Sequence, residues 1–182
     1  MDVFEAIEKR HSYRGPFRDD EVPPSDLGRI VQAGLQAPSG KNAQTTSFVI
    51  VHQAELVRTI AAMPAGSTAV QQAKAFIACI VDANPSPVYE GHDFQIEDCA
   101  AAVENMLLAV TALGYATVWI DGWLRIQDRA ETIGRALELP AGKVVRVLLP
   151  IGIPEETWTQ KEKKPFAARA WFNRYGNSTD AE

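Results

Sequence analysis

Ile96-Glu97-Asp98-Cys99-Ala100-Ala101-Ala102-Val103-Glu104-Asn105-Met106-Leu107-Leu108-Ala109-Val110-Thr111-Ala112-Leu113-Gly114 is the stretch on which the fold turns. Its apolar, alanine-rich positions recur on most faces of a 3.6-residue period, which predicts one helix over Ile96–Leu113. A helix apolar on most faces belongs inside, so it is expected at the buried centre of the molecule. Gly114 suits the left-handed position that closes such a helix.

The flanks alternate in period. Downstream, Tyr115–Ile120 and Val144–Ile151 have strand character, with a helix predicted over Ile126–Leu137 between them. Upstream, Phe76–Asp82 and Ser47–His52 are short apolar runs of the strand type, with helical spacing at Leu56–Met63 and Thr68–Ala75. Phe4 and Ile7 mark a short first helix that must end near Arg10, because Ser12, Gly15 and Pro16 follow. Pro23-Pro24-Ser25-Asp26 opens a second, with Ser25 as its expected N-cap and Leu27, Ile30, Val31, Gly34 and Leu35 along one face. Pro38-Ser39-Gly40 stops it. Helices and strands in this order layer around one sheet.

Bulk properties narrow the function classes. A chain of 182 residues that is 46% apolar and 23% charged can build one packed core and is not disordered by composition. Its net charge of −5 argues against nucleic acid as a partner, since phosphate backbones call for a basic surface. The N-terminus lacks the pattern of a signal segment, and the longest apolar run, Val144–Ile153, is too short to span a bilayer and is interrupted by Arg146. A cytoplasmic location with no membrane partner is therefore expected. Cys79 and Cys99 lie in apolar surroundings without metal-type spacing, which predicts buried free thiols and no metal site.

Three segments can carry chemistry. In Arg10-His11-Ser12-Tyr13-Arg14, two guanidinium forks and a hydroxyl can converge on one phosphate if the chain turns there. Read alone, the same arginines would simply complement a helix C-terminus. In Ala37-Pro38-Ser39-Gly40-Lys41-Asn42-Ala43-Gln44, hydroxyl and amide groups that both donate and accept could recognise the edge of a heteroaromatic ring, or could form an ordinary polar connection. Trp119-Ile120-Asp121-Gly122 would end a strand in a flat apolar wall, with Gly122 permitting close approach to the backbone, or would be a core strand followed by a turn.

Taken in order, these segments resemble the nitroreductase family of flavoproteins. Arg10-His11-Ser12-Tyr13-Arg14 is similar to the family's Arg-Arg-Ser-x-Arg, and Ala37–Gln44 to its Ala-Pro-Ser-x-x-Asn-x-Gln loop. The alanine-rich helix running through Gly114 to Trp119-Ile120-Asp121-Gly122 matches its glycine-containing passage. Leu149-Pro150-Ile151-Gly152, followed by Lys161-Glu162-Lys163-Lys164-Pro165, is similar to its closing strand and basic tail. The chain departs from the pattern at His11, at Thr45-Thr46 where Pro-Trp is frequent, at Asp121 in place of Glu, and in the short segment between Asp82 and Ile96.

The resemblance implies an α+β, three-layer fold with a central mixed sheet flanked by helices, in an intertwined homodimer. Residues 1–155 would form the FMN-binding domain, and residues 156–182 a basic, aromatic tail packed on the partner subunit, Trp158 and Trp171 included. FMN would be the cofactor and NADH or NADPH the electron donor, with nitroaromatics, quinones or similar acceptors reduced by a ping-pong mechanism. Arg10, His11, Ser12 and Arg14, with Lys161 and Lys163, would hold the phosphate end. Pro38, Ser39, Asn42 and Gln44 would reach the flavin from the other subunit. Trp119, Ile120, Asp121 and Gly122 would line the ring, with a backbone N–H near Asp121-Gly122 aimed at flavin N5 and no obligatory catalytic side chain. Val88–Phe94, within the 83–95 segment, would lie where a substrate lid is built, with Tyr89 and Phe94 available to stack on a substrate and His92 read as a solvated loop histidine; whether the segment acts as a lid stays open. The alternative is a protein of the same fold that stores or sequesters FMN without nicotinamide turnover.

Overall fold

The computed structural model describes residues 1–177; the last five residues of the expected tail lie outside the described residues. Elements follow in the order α1 (Val3–Lys9), α2 (Pro24–Leu35), β1 (Ser47–Val51), α3 (Ala54–Ala61), α4 (Thr68–Gln71), β2 (Ala75–Asp82), α5 (Gln95–Ala112), α6 (Arg129–Ala136) and β3 (Lys143–Ile151). Single 3₁₀ turns occur at Gly40–Asn42 and Phe166–Ala168.

The sheet is antiparallel throughout, ordered β1-β2-β3, and not the mixed sheet expected. β2 is central and almost wholly buried, because both faces of the sheet are covered. Its residues alternate between two cores. Ala75, Ile77, Cys79 and Val81 face α2 and α5, packing with Leu27, Ile30, Val103, Met106 and Val110. Phe76, Ala78 and Ile80 face the opposite layer, with Val57 and Ile60 of α3, Val70 of α4 and Ile133 of α6. Three layers result, as expected.

β3 carries one irregularity that matters later. Cys79 pairs with Val147 but Ile80 pairs with Val145, so Arg146 is the extra residue of a β-bulge. A bulge re-aims the side chain of the residue it inserts.

The expected strand at Tyr115–Ile120 is reduced to two isolated bridges with the end of β3, Ala116 to Gly152 and Ile120 to Leu148. Pro150 is the physical reason. Leu148 N–H donates to the Ile120 carbonyl at 3.0 Å, and the next donor facing the same side would be residue 150, a proline without an N–H. On its other side this segment is pinned by Tyr13, whose N–H donates to the Thr117 carbonyl at 2.8 Å.

Other boundaries also shift. α2 starts at Pro24, with Pro23 at the cap position and no side-chain cap, so Ser25 lies inside the helix. Proline at the first helical position loses nothing by lacking an N–H there. Leu35, expected on the apolar face, is exposed. α6 begins three residues late because Gln127 and Asp128 adopt left-handed backbone. α5 buries one long face, from Gln95 and Asp98 to Val110, while Ile96 and Glu104 face outward. Gly114 follows it at φ +83°, as the helix stop requires.

Candidate functional site

The end of α1 and the segment after β3 meet. Arg10, His11, Ser12 and Arg14 line a cleft of about 500 Å³ together with Trp158, Thr159, Gln160, Lys161 and Lys163. Four cationic side chains, two hydroxyls and an amide converge there, and no carboxylate is among the lining residues. That donor set suits a phosphate. Arg10 is engaged in a loose pair with Glu104 of α5, 3.7 Å away, whose carboxylate is half exposed. Such a pair is worth about 0–1 kcal/mol, so a phosphate can readily win the guanidinium.

Tyr13 and Gln160 hold the two chain ends in place. Tyr13 is fully buried between Phe17 and Trp158, and its hydroxyl donates to the Pro16 carbonyl while accepting from the Glu156 N–H at 3.3 Å. Gln160 Nε2 donates to the carbonyls of Ile7, at 3.2 Å, and Arg10, at 2.7 Å. Those carbonyls lie at the end of α1, where backbone acceptors lack helical partners. His11 Nδ1 donates to the Lys9 carbonyl at 2.9 Å, which orients its ring at the cleft mouth. Trp158, expected against a partner subunit, packs on Tyr13 of its own chain and leaves part of its ring exposed.

The Trp119–Gly122 segment connects to this cleft through the Tyr13–Thr117 hydrogen bond but does not line it. Trp119 is half-buried against the α5 layer, and Ile120 packs with the opposite core. The Asp121 carboxylate is committed. Arg125 contacts it at 2.6 and 3.0 Å, and Arg146, aimed by the bulge, at 2.6 Å. Burial alone would raise its pKa, but Arg125 and Arg146 outweigh that and hold it below the ordinary value. The Asp121 and Gly122 carbonyls accept from Leu124 and Arg125 in the turn; among the described residues no acceptor is found for their own N–H groups. Space beside Gly122 is open.

Pro38, Ser39 and Gln44 lie elsewhere, around a small cavity of about 40 Å³ with Thr45, Thr46, Phe48 and Asp98. This cavity shares no lining residue with the Arg10–Lys163 cleft. Asn42 lines neither and is exposed. The loop is strained: Lys41, Asn42 and Gln44 all have φ between +51° and +56°, a conformation that side chains other than glycine adopt at a cost. Ser39 Oγ accepts from the Gln44 N–H at 3.0 Å, closing the loop on itself. The 83–95 segment packs on it, with Phe94 against Gly40 and Lys41 over the Tyr89 ring at 4.6 Å.

Gln160, Arg146 and Asp98 were not singled out by sequence. Asp98 alone left a signal, since a carboxylate there falls on the buried stripe of α5. Cys79 and Cys99 are buried free thiols, as expected. No described helix is long and apolar enough to cross a membrane.

The Nitroreductase family model matches residues 7–89 and 84–153. A Methanothermobacter thermautotrophicus protein named for NADH dehydrogenase or NAD(P)H nitroreductase activity is 32% identical over 157 residues, which cover 86% of this chain and 79% of that one. The crystal structure of a similarly named protein from Bacteroides thetaiotaomicron superposes with a TM-score of 0.79 at 26% identity, covering 95% of this chain and 98% of that one. A nitroreductase-type structure from Desulfovibrio desulfuricans, in complex with FMN, has a TM-score of 0.76 at 27% identity and covers 92% of this chain and 94% of its own.

Proposed function

This chain belongs to the nitroreductase family, and on that premise we propose an FMN-dependent oxidoreductase that draws electrons from NADH or NADPH and reduces nitroaromatic, quinone or similar acceptors in a ping-pong cycle. The observation that carries the reading is the carboxylate-free cleft where Arg10, Ser12 and Arg14 meet Lys161 and Lys163. These five would hold the FMN phosphate, with His11 at its edge. When bound, FMN supplies hydride acceptance at one ring nitrogen and release from the same face.

The chain's own residues bind and orient. The unpaired N–H groups of Asp121 and Gly122, beside open space, are suited to a ring nitrogen that gains a proton. Trp119 and Ile120 stiffen the wall behind them. No side chain is required to take part in the chemistry.

A second copy of the chain completes the site in this reading. Pro38, Ser39, Asn42 and Gln44 stand apart from the phosphate cleft of their own chain, so they are assigned to the flavin of the partner. The N-terminal segment exposes Met1 and, on α1, Val3, Phe4 and Ile7, with Phe4 75% accessible, and the tail exposes Phe166, Phe172 and Tyr175. Apolar surface of this kind fits burial in a two-fold dimer. Residues 1–155 are then the flavin-binding body and the tail beyond them a strap.

An absorbance spectrum of the purified protein, before and after NADH or NADPH, tests the proposal. A flavin spectrum that bleaches is expected. Protein that stays colourless after incubation with FMN would refute it, and bound FMN that neither nucleotide bleaches would identify a flavin-sequestering protein instead.

A further inference from the structure

Asp98 is buried, 7% exposed, in the first turns of α5, and none of the ion pairs among the described residues involves it. A buried carboxylate needs donors, and it takes them from the two ends of one loop. Gly40 N–H donates to Oδ1 at 2.9 Å and the Thr45 hydroxyl to Oδ2 at 3.2 Å. Between these anchors lie the three left-handed residues, Lys41, Asn42 and Gln44. Strain of that kind persists only where surrounding contacts over-determine the backbone. Asp98 N–H also donates to the Phe94 carbonyl at 2.9 Å, and a methyl group at Gly40 would come within 2.8 Å of the Phe94 ring. One residue thus ties the 39–45 loop, the end of the 83–95 segment and the start of α5 together.

We infer that Asp98 is the positioning residue for the loop, holding Ser39, Asn42 and Gln44 in the strained form that meets the flavin. This rests on the flavin reading above. An acceptor-only group is suited to the task, because both loop ends present donors and the carboxylate offers one oxygen to each.

The test uses full-length protein, with hydrogen–deuterium exchange over residues 38–46 and an FMN titration followed by quenching of flavin fluorescence. Asp98→Ala should speed loop exchange about tenfold or more while β2 exchange stays unchanged, and should weaken FMN binding by about tenfold, the scale of losing hydrogen bonds to a charged group. Asp98→Asn should restore both to within about threefold, since its amide oxygen still accepts from Gly40 and its NH₂ can donate to the Thr45 hydroxyl. Should Asp98→Ala fail to fold, Thr45→Val removes one anchor and should move both readouts in the same direction by a smaller factor. Unchanged loop exchange in these variants overturns the inference. A loosened loop with wild-type FMN affinity overturns it too, and leaves the flavin reading standing; wild-type protein that binds no FMN overturns both.

Discussion

Gln160→Ala separates the two halves of the proposed phosphate cleft without touching a charge. The side chain contributes two hydrogen bonds, to Arg10 at 2.7 Å and Ile7 at 3.2 Å, and these tie the segment bearing Lys161 and Lys163 to the end of α1. At about 0.5–1.5 kcal/mol net per bond, their loss frees roughly 1–3 kcal/mol of tethering. FMN must then order the tail itself, so its dissociation constant should rise by about fivefold to 150-fold. A fluorescence-quenching titration at fixed ionic strength measures this, and the salt must be held constant because exposed charges are screened over about 8 Å at physiological strength. Limited proteolysis after residue 160 gives an independent readout of the freed tail. Gln160→Glu should be worse, since it sets a negative group against two carbonyls and the incoming phosphate. FMN affinity within twofold of wild type, with the tail demonstrably released, would show that the cations of the two chain ends do not act on one phosphate.

Further consequences can be checked in the same way. Arg14→Ala should weaken FMN binding by ~1.5–3 kcal/mol through loss of charge-assisted bonds, and equal retention of FMN by this variant would place the phosphate elsewhere. Arg129 is buried and donates to the Trp123 and Pro64 carbonyls, each at 3.0 Å; Arg129→Ala leaves the Trp123 carbonyl without this donor, while the exposed Pro64 carbonyl keeps the Trp123 indole N–H at 3.2 Å. Urea unfolding should register a loss of roughly 1–3 kcal/mol, and no measurable loss would mean that water replaces the guanidinium. For Asp121, the folded carboxyl titrates below its ordinary value near 3.8, so the unfolded chain binds the proton more readily. Its stabilisation is complete above that value and is lost as pH falls through the lower folded one; Asp121→Asn should flatten this acid limb, and an unaltered limb would contradict the assignment. The neighbouring Cys99 and burial push the Cys79 thiol up, and both cysteines are buried, so neither should react with a thiol reagent until the protein is unfolded. Labelling of either in native protein would count against that core.

Local signals carried much of the fold. The Ile96–Leu113 period predicted α5 to within a residue at each end, and the runs at Ser47, Phe76 and Val144 became β1, β2 and β3. Where the prediction failed, a distant partner decided. Pro150 lies thirty residues from Ile120, and its missing N–H is what reduces Tyr115–Ile120 to isolated bridges. At the candidate site, the arginines, serine and lysines that line one cleft could be picked out in advance because their side-chain chemistry is local. Gln160 was not, because an amide among lysines signals nothing until the carbonyls of α1 stand opposite it. Asp98 passed for an ordinary acidic residue near a helix start, although its place on the buried stripe set it apart.

By itself, the amino-acid order determined most of the helical and extended segments, which residues were candidates to grip a phosphate, and, through the ordered set of motifs, the family. Only the tertiary structure decided that the sheet is antiparallel, that a bulge turns Arg146 onto Asp121, that Arg10 and Lys163 share a cleft, and that Asp98 reaches back to Gly40 and Thr45. Periodicity along a chain follows from the geometry of one helix or strand. Register, bulges and contacts between remote groups follow from packing both faces of the sheet at once, and no local stretch contains that information.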